Sequence, residues 1–236
     1  MQNGERINFG PNVNFIFETD SLKFASLATI SRNGIIYMNQ EDLDIKSVVN
    51  SWIGKQKENL KPNLINLFEN YFFEIFKNIT NEQTLMLKTT NFGTIYNFLS
   101  LCSDIESKGM FVDCLIRGLG ANLSIEARKK FALEVFQLAG ERPDNMKNPL
   151  NNYYDTNYRC FKSYTLMVDS AIELKSFNNL RNNPLVKTLS IQRDLDILNR
   201  WLVTNEQPFI VVGPEGCGKS LIINYAISQM KSCQVN

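Results

Sequence analysis

Apolar residues recur in a strict rhythm through the first half of the chain. Leu64, Leu67, Phe68, Tyr71, Phe72, Ile75, Phe76 and Ile79 alternate between steps of three and one. That rhythm places a broad apolar stripe on one face of a helix, and Pro62 sits where a first helical turn tolerates proline. Such a stripe faces a core. Phe92, Ile95, Leu99 and Cys102 suggest a second helix. Ser124 is placed as an N-cap, with Glu126 in the first turn and Ala127, Phe131, Val135 and Leu138 following on one face. The helical signal begins near Glu41, and residues 60–140 are expected to form a small helical bundle.

Either side of the bundle the pattern changes. Val13 to Phe17 is an apolar run that ends at Glu18, and Gly34 to Met38 is a second run rich in β-branched and aromatic residues. Both read as strands. The segment between them, "SLKFASLATISR", reads as a compact helix or turn. Beyond the bundle, "GERPDNMKNPLNNYYDTNYR" is rich in Pro, Asn and Asp and breaks every period. It reads as an exposed connection and a domain boundary. Then Ile191, Leu195, Leu198 and Leu202 return to helical spacing, with Ser190 as the expected cap. A short apolar strand, Phe209 to Val212, leads into a glycine-rich loop. No internal repeat of fixed period is present.

Composition changes this picture little. The 236 residues suit one sizeable domain or two small ones. A net charge of +1 gives no electrostatic reason to expect nucleic acid or an anionic membrane surface as partner. Histidine is absent, which removes histidine general-base chemistry and His-ligated metals. The five cysteines are scattered and form no C-x-x-C pair, so neither a zinc site nor a disulfide framework is expected. No apolar run approaches the roughly 18 residues of a membrane span, and the N-terminal residues lack a signal-peptide core. A soluble cytoplasmic chain is expected.

The glycine loop is the strongest chemical signal. Gly213-Pro214-Glu215-Gly216-Cys217-Gly218-Lys219-Ser220 matches G-x-x-x-x-G-K-[ST] at every fixed position. Glycines let the backbone wrap closely around phosphate oxygens with its N–H groups turned inward. The helix that follows adds its positive N-terminal end. Lys219 would reach the β- and γ-phosphates, and the Ser220 hydroxyl would help hold Mg²⁺. ATP and Mg²⁺ are therefore the expected cofactors. Cys217 fits as a small side chain. Hydrolysis also needs an acidic residue at the end of a second strand. No residue after Ser220 is Asp or Glu, so turnover by the chain alone is not expected.

A resemblance adds to these readings. The block "GERINFGPNVNFIFETDSLKFASLATISRNGIIYM" resembles the second AAA+ module of dynein heavy chains. Phe17, Glu18, Asp20, Leu22, Ala25, Ser26, Ala28, Thr29, Ser31, Arg32 and Gly34 fit that family's pattern, and Leu27 departs from it where the family has Pro. "LIRGLGANLSIEARKKF" resembles the helical lid of the same module. "PLVKTLSIQRDLDILNRWL" and "QPFIVVGPEGCGKS" resemble the entry to the third. The resemblance implies an α/β assembly of AAA+ P-loop parts: residues 1–55 the end of one large domain, 56–142 its helical lid, 143–183 a linker, and 184–236 the start of the next module. By the same resemblance Glu18 lies at the tip of a sensor strand and Arg32 is an arginine finger, the catalytic residue of the set, acting on another module's nucleotide. Arg117 and Arg128 become candidates for contacting the second module's nucleotide. Leu185, Val186 and Thr188 would approach the adenine of the third.

The function so implied is a share in an ATP-driven motor that moves towards microtubule minus ends. The wording leans to the branch that serves retrograde intraflagellar transport, which implies cytoplasm, cytoskeleton and cilium as location. The implied partners are the remaining modules of the ring and, through the full-length protein, microtubules and intermediate and light chains. Nucleic acid and membrane insertion are not expected. The alternative is a non-catalytic nucleotide-binding or adaptor domain, which the residues alone leave open.

Overall fold

A computed structural model describes residues 9–39, 44–80, 85–164, 185–204 and 208–234. The chain divides into two compact units, residues 1–39 and 40–236. In the first unit the only regular element among the described residues is α1, Leu27–Arg32. The Ser26 hydroxyl caps it by accepting from the Thr29 N–H at 3.1 Å. Leu27 is thus the first helical residue, the position at which proline is most at home. No side chain of α1 is buried.

The second unit is mostly helical. Asp44 caps α2, Ile45–Gly54, by accepting from the N–H groups of Lys46 and Ser47. The long apolar stripe forms α3, Lys61–Leu67, and α4, Phe73–Thr80, joined by a π-helical turn at Phe68–Phe72. Pro62 lies in the first turn of α3. Seven of the eight stripe residues are buried and Tyr71 is half-buried, so the stripe faces a core. The next helix is α5, Asn91–Leu99, whose cap Thr90 accepts from Gly93 N–H at 2.9 Å. Ile95, Leu99 and Cys102 are buried as the spacing predicts, although Cys102 lies past the helix end. Helix α6, Lys108–Gly118, is buried along almost its whole length. Ser124 caps α7, Ile125–Ala139, and Gly140 ends it in the left-handed conformation, with φ of 61°.

The core centres on aromatic rings. Phe68, Phe72, Phe98 and Phe111 stand 5.1 to 5.8 Å apart between ring centres. Helices α5 and α6 cross tightly at Gly118, where a β-carbon would lie 2.5 Å from the Phe98 Cα. Backbone cannot swing aside as a side chain can. Gly118→Ala is therefore expected to cost about 1–3 kcal/mol of stability by overpacking. Thermal melting checks this, and an unchanged midpoint would show that the two helices do not meet there.

The predicted strands fare differently. Neither Val13–Phe17 nor Gly34–Met38 nor Phe209–Val212 forms a strand in the described residues. A strand is stable only with a ladder partner, and among the described residues none of these runs has one. Their apolar side chains are left open to solvent instead, with Ile16 98%, Ile36 85% and Ile210 86% exposed. The strand pair that does form lies in the stretch read as an exposed connection: β1, Asn152–Asp155, pairs antiparallel with β2, Cys160–Ser163. The Asp155 carboxylate shapes the turn by accepting from the N–H groups of Asn157 and Tyr158. Leu150, Phe161 and Tyr164 are buried against the bundle. Asparagine side chains, rather than apolar periodicity, hold this stretch. Asn152 alone donates to the carbonyls of Asn145 and Pro149 and accepts from Asn145 N–H at 2.9 Å. The remainder of the expected linker, residues 165–183, lies outside the described residues.

After it, α8, Leu189–Thr204, is capped by the Thr188 hydroxyl, which accepts from Ile191 N–H at 3.4 Å. That places the cap two residues before Ser190, the residue expected from sequence. Helix α9, Lys219–Gln234, packs on α8. Leu195, Leu198 and Ala226 are the buried centre of this pair, flanked by Leu185, Ile191, Leu202, Phe209, Ile222 and Ile223.

Candidate functional site

The glycine loop runs between the Phe209–Val212 run and the start of α9. Gly216 and Gly218 have φ of 73° and 87°, a region in which a β-carbon is strained. At Gly213 a β-carbon would meet the Cys217 sulfur at 2.9 Å. Two glycines are thus required by backbone geometry, and at Gly213 the Cys217 sulfur leaves little room for a side chain. The first N–H groups of α9 have no partner within the helix. Lys219 folds back over the loop: its ammonium donates to the carbonyls of Gly213 at 2.9 Å and Pro214 at 2.7 Å. Ser220 is exposed, next to that ammonium in sequence. The donor set suits a phosphate chain. It offers helix-terminal N–H groups and a mobile ammonium, and no carboxylate except Glu215 lies within the loop.

A neighbouring cavity of about 410 Å³ is lined by, among others, Cys217, Lys219, Arg117, Arg128 and Arg193. That size is within the usual range for small-molecule sites. Behind it lies a polar cluster that sequence reading did not anticipate. Arg117 Nε donates to Asp113 Oδ1 at 2.7 Å, and its terminal nitrogen donates to the Asn152 carbonyl at 3.1 Å and the Tyr164 hydroxyl at 2.5 Å. The Tyr164 hydroxyl in turn donates to Asp196 at 3.1 Å. Arg200 bridges Asp113 at 2.5 Å and Asp196 at 3.2 Å. The cluster ties α6, the end of the hairpin and α8 together.

Electrostatics in the cluster follow from burial and pairing. Burial works to raise the Asp113 carboxyl, but the Arg117 and Arg200 charges outweigh it and hold the group below the ordinary range. Burial works to lower the Arg117 and Arg200 guanidinium groups, and their carboxylate partners push both above the usual value. Burial pushes the Tyr164 phenol up. Arg117 is therefore a structural cation. It is 7% exposed with its donors engaged, and does not present a free edge to a nucleotide as the resemblance suggested. The sequence signal was available: Asp113 and Arg117 sit four apart inside an apolar helix, as do Asp196 and Arg200 on α8, the spacing of helical ion pairs.

Arg32 ends α1 and is exposed, and Glu18 is exposed in the same unit. Leu185 packs into the α8–α9 core, Val186 is exposed, and Thr188 spends its hydroxyl on capping α8. Trp201 connects the bundle to the approach to the loop. Its indole N–H donates to Ser100 Oγ at 2.9 Å, and its ring stacks on Phe209 at 5.6 Å. No group of three or more His, Cys, Asp or Glu is placed to hold a metal ion among the described residues. No described helix is long and apolar enough to cross a membrane.

Comparison with known proteins identifies relatives of the chain. A family model described as "Cytoplasmic dynein 2 heavy chain 1, AAA+ ATPase domain" matches residues 44–139, the helical bundle. The chain accordingly carries AAA+ sequence, with helices predominating and one small sheet. It is a homologue, along its whole length, of cytoplasmic dynein 2 heavy chains. Cytoplasmic dynein 2 heavy chain 1 of Tripneustes gratilla is 40% identical over 236 residues, all of this chain and 6% of the relative. That of Homo sapiens is 39% identical over the same span and share. That of Caenorhabditis elegans is 34% identical, again over all of this chain and 6% of the relative. The chain thus spans about 6% of the length of these curated relatives.

Proposed function

We propose that the chain contributes nucleotide-binding elements to the ring of a dynein motor. The loop from Gly213 to Ser220 holds the phosphates of ATP, Lys219 pairs with the β- and γ-phosphates, and Ser220 helps hold Mg²⁺. The observation that carries this reading is the loop itself: two glycines at positive φ, a third under the Cys217 sulfur, and an ammonium poised over it at the start of α9. When bound, Mg²⁺ would neutralise phosphate charge. The lysine would exchange its two carbonyl partners for phosphate oxygens, a stronger pairing because both partners are charged.

Arg32 serves as an arginine finger for the nucleotide of another module, stabilising charge that develops on the γ-phosphate. Its exposure at the end of a short capped helix suits a residue that reaches outward. The exposed apolar runs at Val13–Phe17, Gly34–Met38 and Ile210–Val212 suit burial against the remaining modules of the ring, because patches of this kind mark interaction surfaces. Through the whole heavy chain the partners are microtubules and dynein intermediate and light chains. The location is the cytoplasm, cytoskeleton and cilium, and the work is retrograde intraflagellar transport.

Equilibrium binding of a fluorescent ATP analogue in the presence of Mg²⁺ tests the loop. Lys219→Ala is expected to weaken binding by about tenfold or more, the loss of one charge-assisted contact. Equal affinity in the two proteins would remove Lys219 from the site. No binding by the unaltered chain would reduce the loop to a structural turn.

A further inference from the structure

Asparagine followed by glycine occurs twice in the chain, at Asn3–Gly4 and at Asn33–Gly34. The first pair lies outside the described residues. The second follows Arg32 directly, at the end of α1. Asn33 caps that helix with two donors. Its N–H donates to the Ile30 carbonyl at 3.4 Å, and its side-chain amide donates to the Thr29 carbonyl at 2.8 Å. Both contacts lie at the negative end of the helix, where a donor is favoured and an anion is not.

The backbone nitrogen that follows an asparagine can attack the side-chain carbonyl carbon and close a five-membered imide. Closure requires that the chain is free to turn and that no side chain on the next residue stands in the way. Asn33–Gly34 meets both conditions. Both residues are exposed, and a β-carbon at Gly34 would meet nothing within 4 Å beyond its chain neighbours. Among the described residues no hydrogen bond engages the Gly34 N–H. Asn33 is extended, with φ of −108° and ψ of 144°, and belongs to no strand. Rotation about ψ therefore disturbs only the two cap contacts. Asn50–Ser51 is the contrast: it is also exposed and also has a small residue after the asparagine, but it lies inside α2, where the same rotation would break the helix.

We propose that Asn33–Gly34 is a site of spontaneous modification, at which an amide becomes a carboxylate immediately after Arg32. The Gly34 nitrogen bonds to Asn33 Cγ, the Cγ–Nδ2 bond breaks, and ammonia leaves with the proton of the Gly34 N–H. Water then opens the imide. Opening at Cγ gives aspartate. Opening at the main-chain carbonyl gives isoaspartate, whose backbone runs through the former side chain and is one methylene longer. Either product sets an anion in place of a donor opposite the Thr29 carbonyl, so the cap is lost and the last turn of α1 opens. The modification is independent of the role proposed for Arg32, which it would misdirect.

The test incubates the full 236-residue chain in mildly alkaline buffer at body temperature. Peptide mass spectrometry is expected to find a gain of one dalton at Asn33, and an isoaspartyl methyltransferase is expected to label the same peptide. In an Asn3→Gln background the formal net charge should move from +1 to zero, which isoelectric focusing reads. Gly34→Ala is expected to slow the gain by about fivefold or more, because a β-carbon hinders ring closure. Asn50 should stay unmodified over the same interval. In an Asn33→Asp variant the carbon chemical shifts of Thr29 to Arg32 should move from helical towards coil values, and unchanged shifts would overturn the loss of the cap. An intact Asn33 beside a converted Asn3 would overturn the site, because the fold would then be protecting it. Conversion of Asn50 as fast as Asn33, or no conversion at any asparagine, would overturn it equally.

Discussion

Replacing Asp113 by Ala should cost about 3–5 kcal/mol of folding stability, the usual consequence of removing one partner from a buried ion pair. Asp113 is 3% exposed and is the shared acceptor for Arg117 and Arg200. Without it two guanidinium groups stay in the interior with only Asp196, which is partly exposed, to balance them. The cost lies in the stranded charges rather than in the intrinsic worth of the pairs. A triple change, Asp113→Leu with Arg117→Met and Arg200→Met, should therefore recover much of the loss. Urea unfolding distinguishes the cases: a loss below about 1 kcal/mol for Asp113→Ala would mean that water reaches the cluster. The pH dependence has a definite sign. The Asp113 carboxyl is held below its ordinary value of 3.8 in the folded chain. Its stabilising share is complete above that value and is lost as pH falls through the lowered one. Acid titration of the wild-type chain should show this loss, and Asp113→Ala should lack it.

Phe72→Ala should cost a similar amount, about 3–5 kcal/mol, through the cavity that it leaves. Phe72 is 0% exposed, and its ring contacts those of Phe68, Phe73, Phe76 and Phe98 at 5.1 to 5.6 Å. Because it lies in the π-helical turn, the surrounding backbone is committed on both sides and has little room to collapse into the gap. Phe92→Ala offers the contrast, since that ring is 38% exposed at the start of α5 and, among the rings of the described residues, touches only Tyr96. It should cost under about 1 kcal/mol. Equal midpoints for the two variants in urea would show that the aromatic cluster is not the centre of the core.

The helices were legible because their information is local. The 3–1–3 rhythm between Leu64 and Ile79, Pro62 in the first turn and Ser124 as a cap each specify a helix within a few residues. The strands were not legible in the same way. Val13–Phe17 and Phe209–Val212 have strand composition, yet a strand also needs a partner, which is a non-local fact. The β1–β2 hairpin had no apolar run to announce it, because its stretch is fastened by Asn145, Asn148 and Asn152 side chains on backbone groups. The glycine loop was fully legible, since its residue types follow directly from backbone geometry. Its neighbours were only half legible: Arg117 and Arg128 stood out, but burial alone separates the arginine that holds the fold together from the one that faces the cavity. Arg193 and Arg200, on a helix read only for its leucines, did not stand out at all.

Helix α8 is a strut between the bundle and the approach to the glycine loop. It is 16 residues long, hence about 24 Å from end to end. It is fixed to α6 through Asp196 at its middle and Arg200 four residues on, and the next residue, Trp201, holds both Ser100 of the bundle and the Phe209 ring before the loop. A rod gripped in this way behaves as a lever with a clamped fulcrum. A tilt of about 10° around Asp196 would carry the C-terminal end, about 12 Å away, by roughly 2 Å, comparable to the margin between a made and a broken hydrogen bond. The charge cluster between α6 and α8 therefore sets the tolerance with which the glycine loop is aimed, although no atom of Asp113 or Arg200 belongs to the loop.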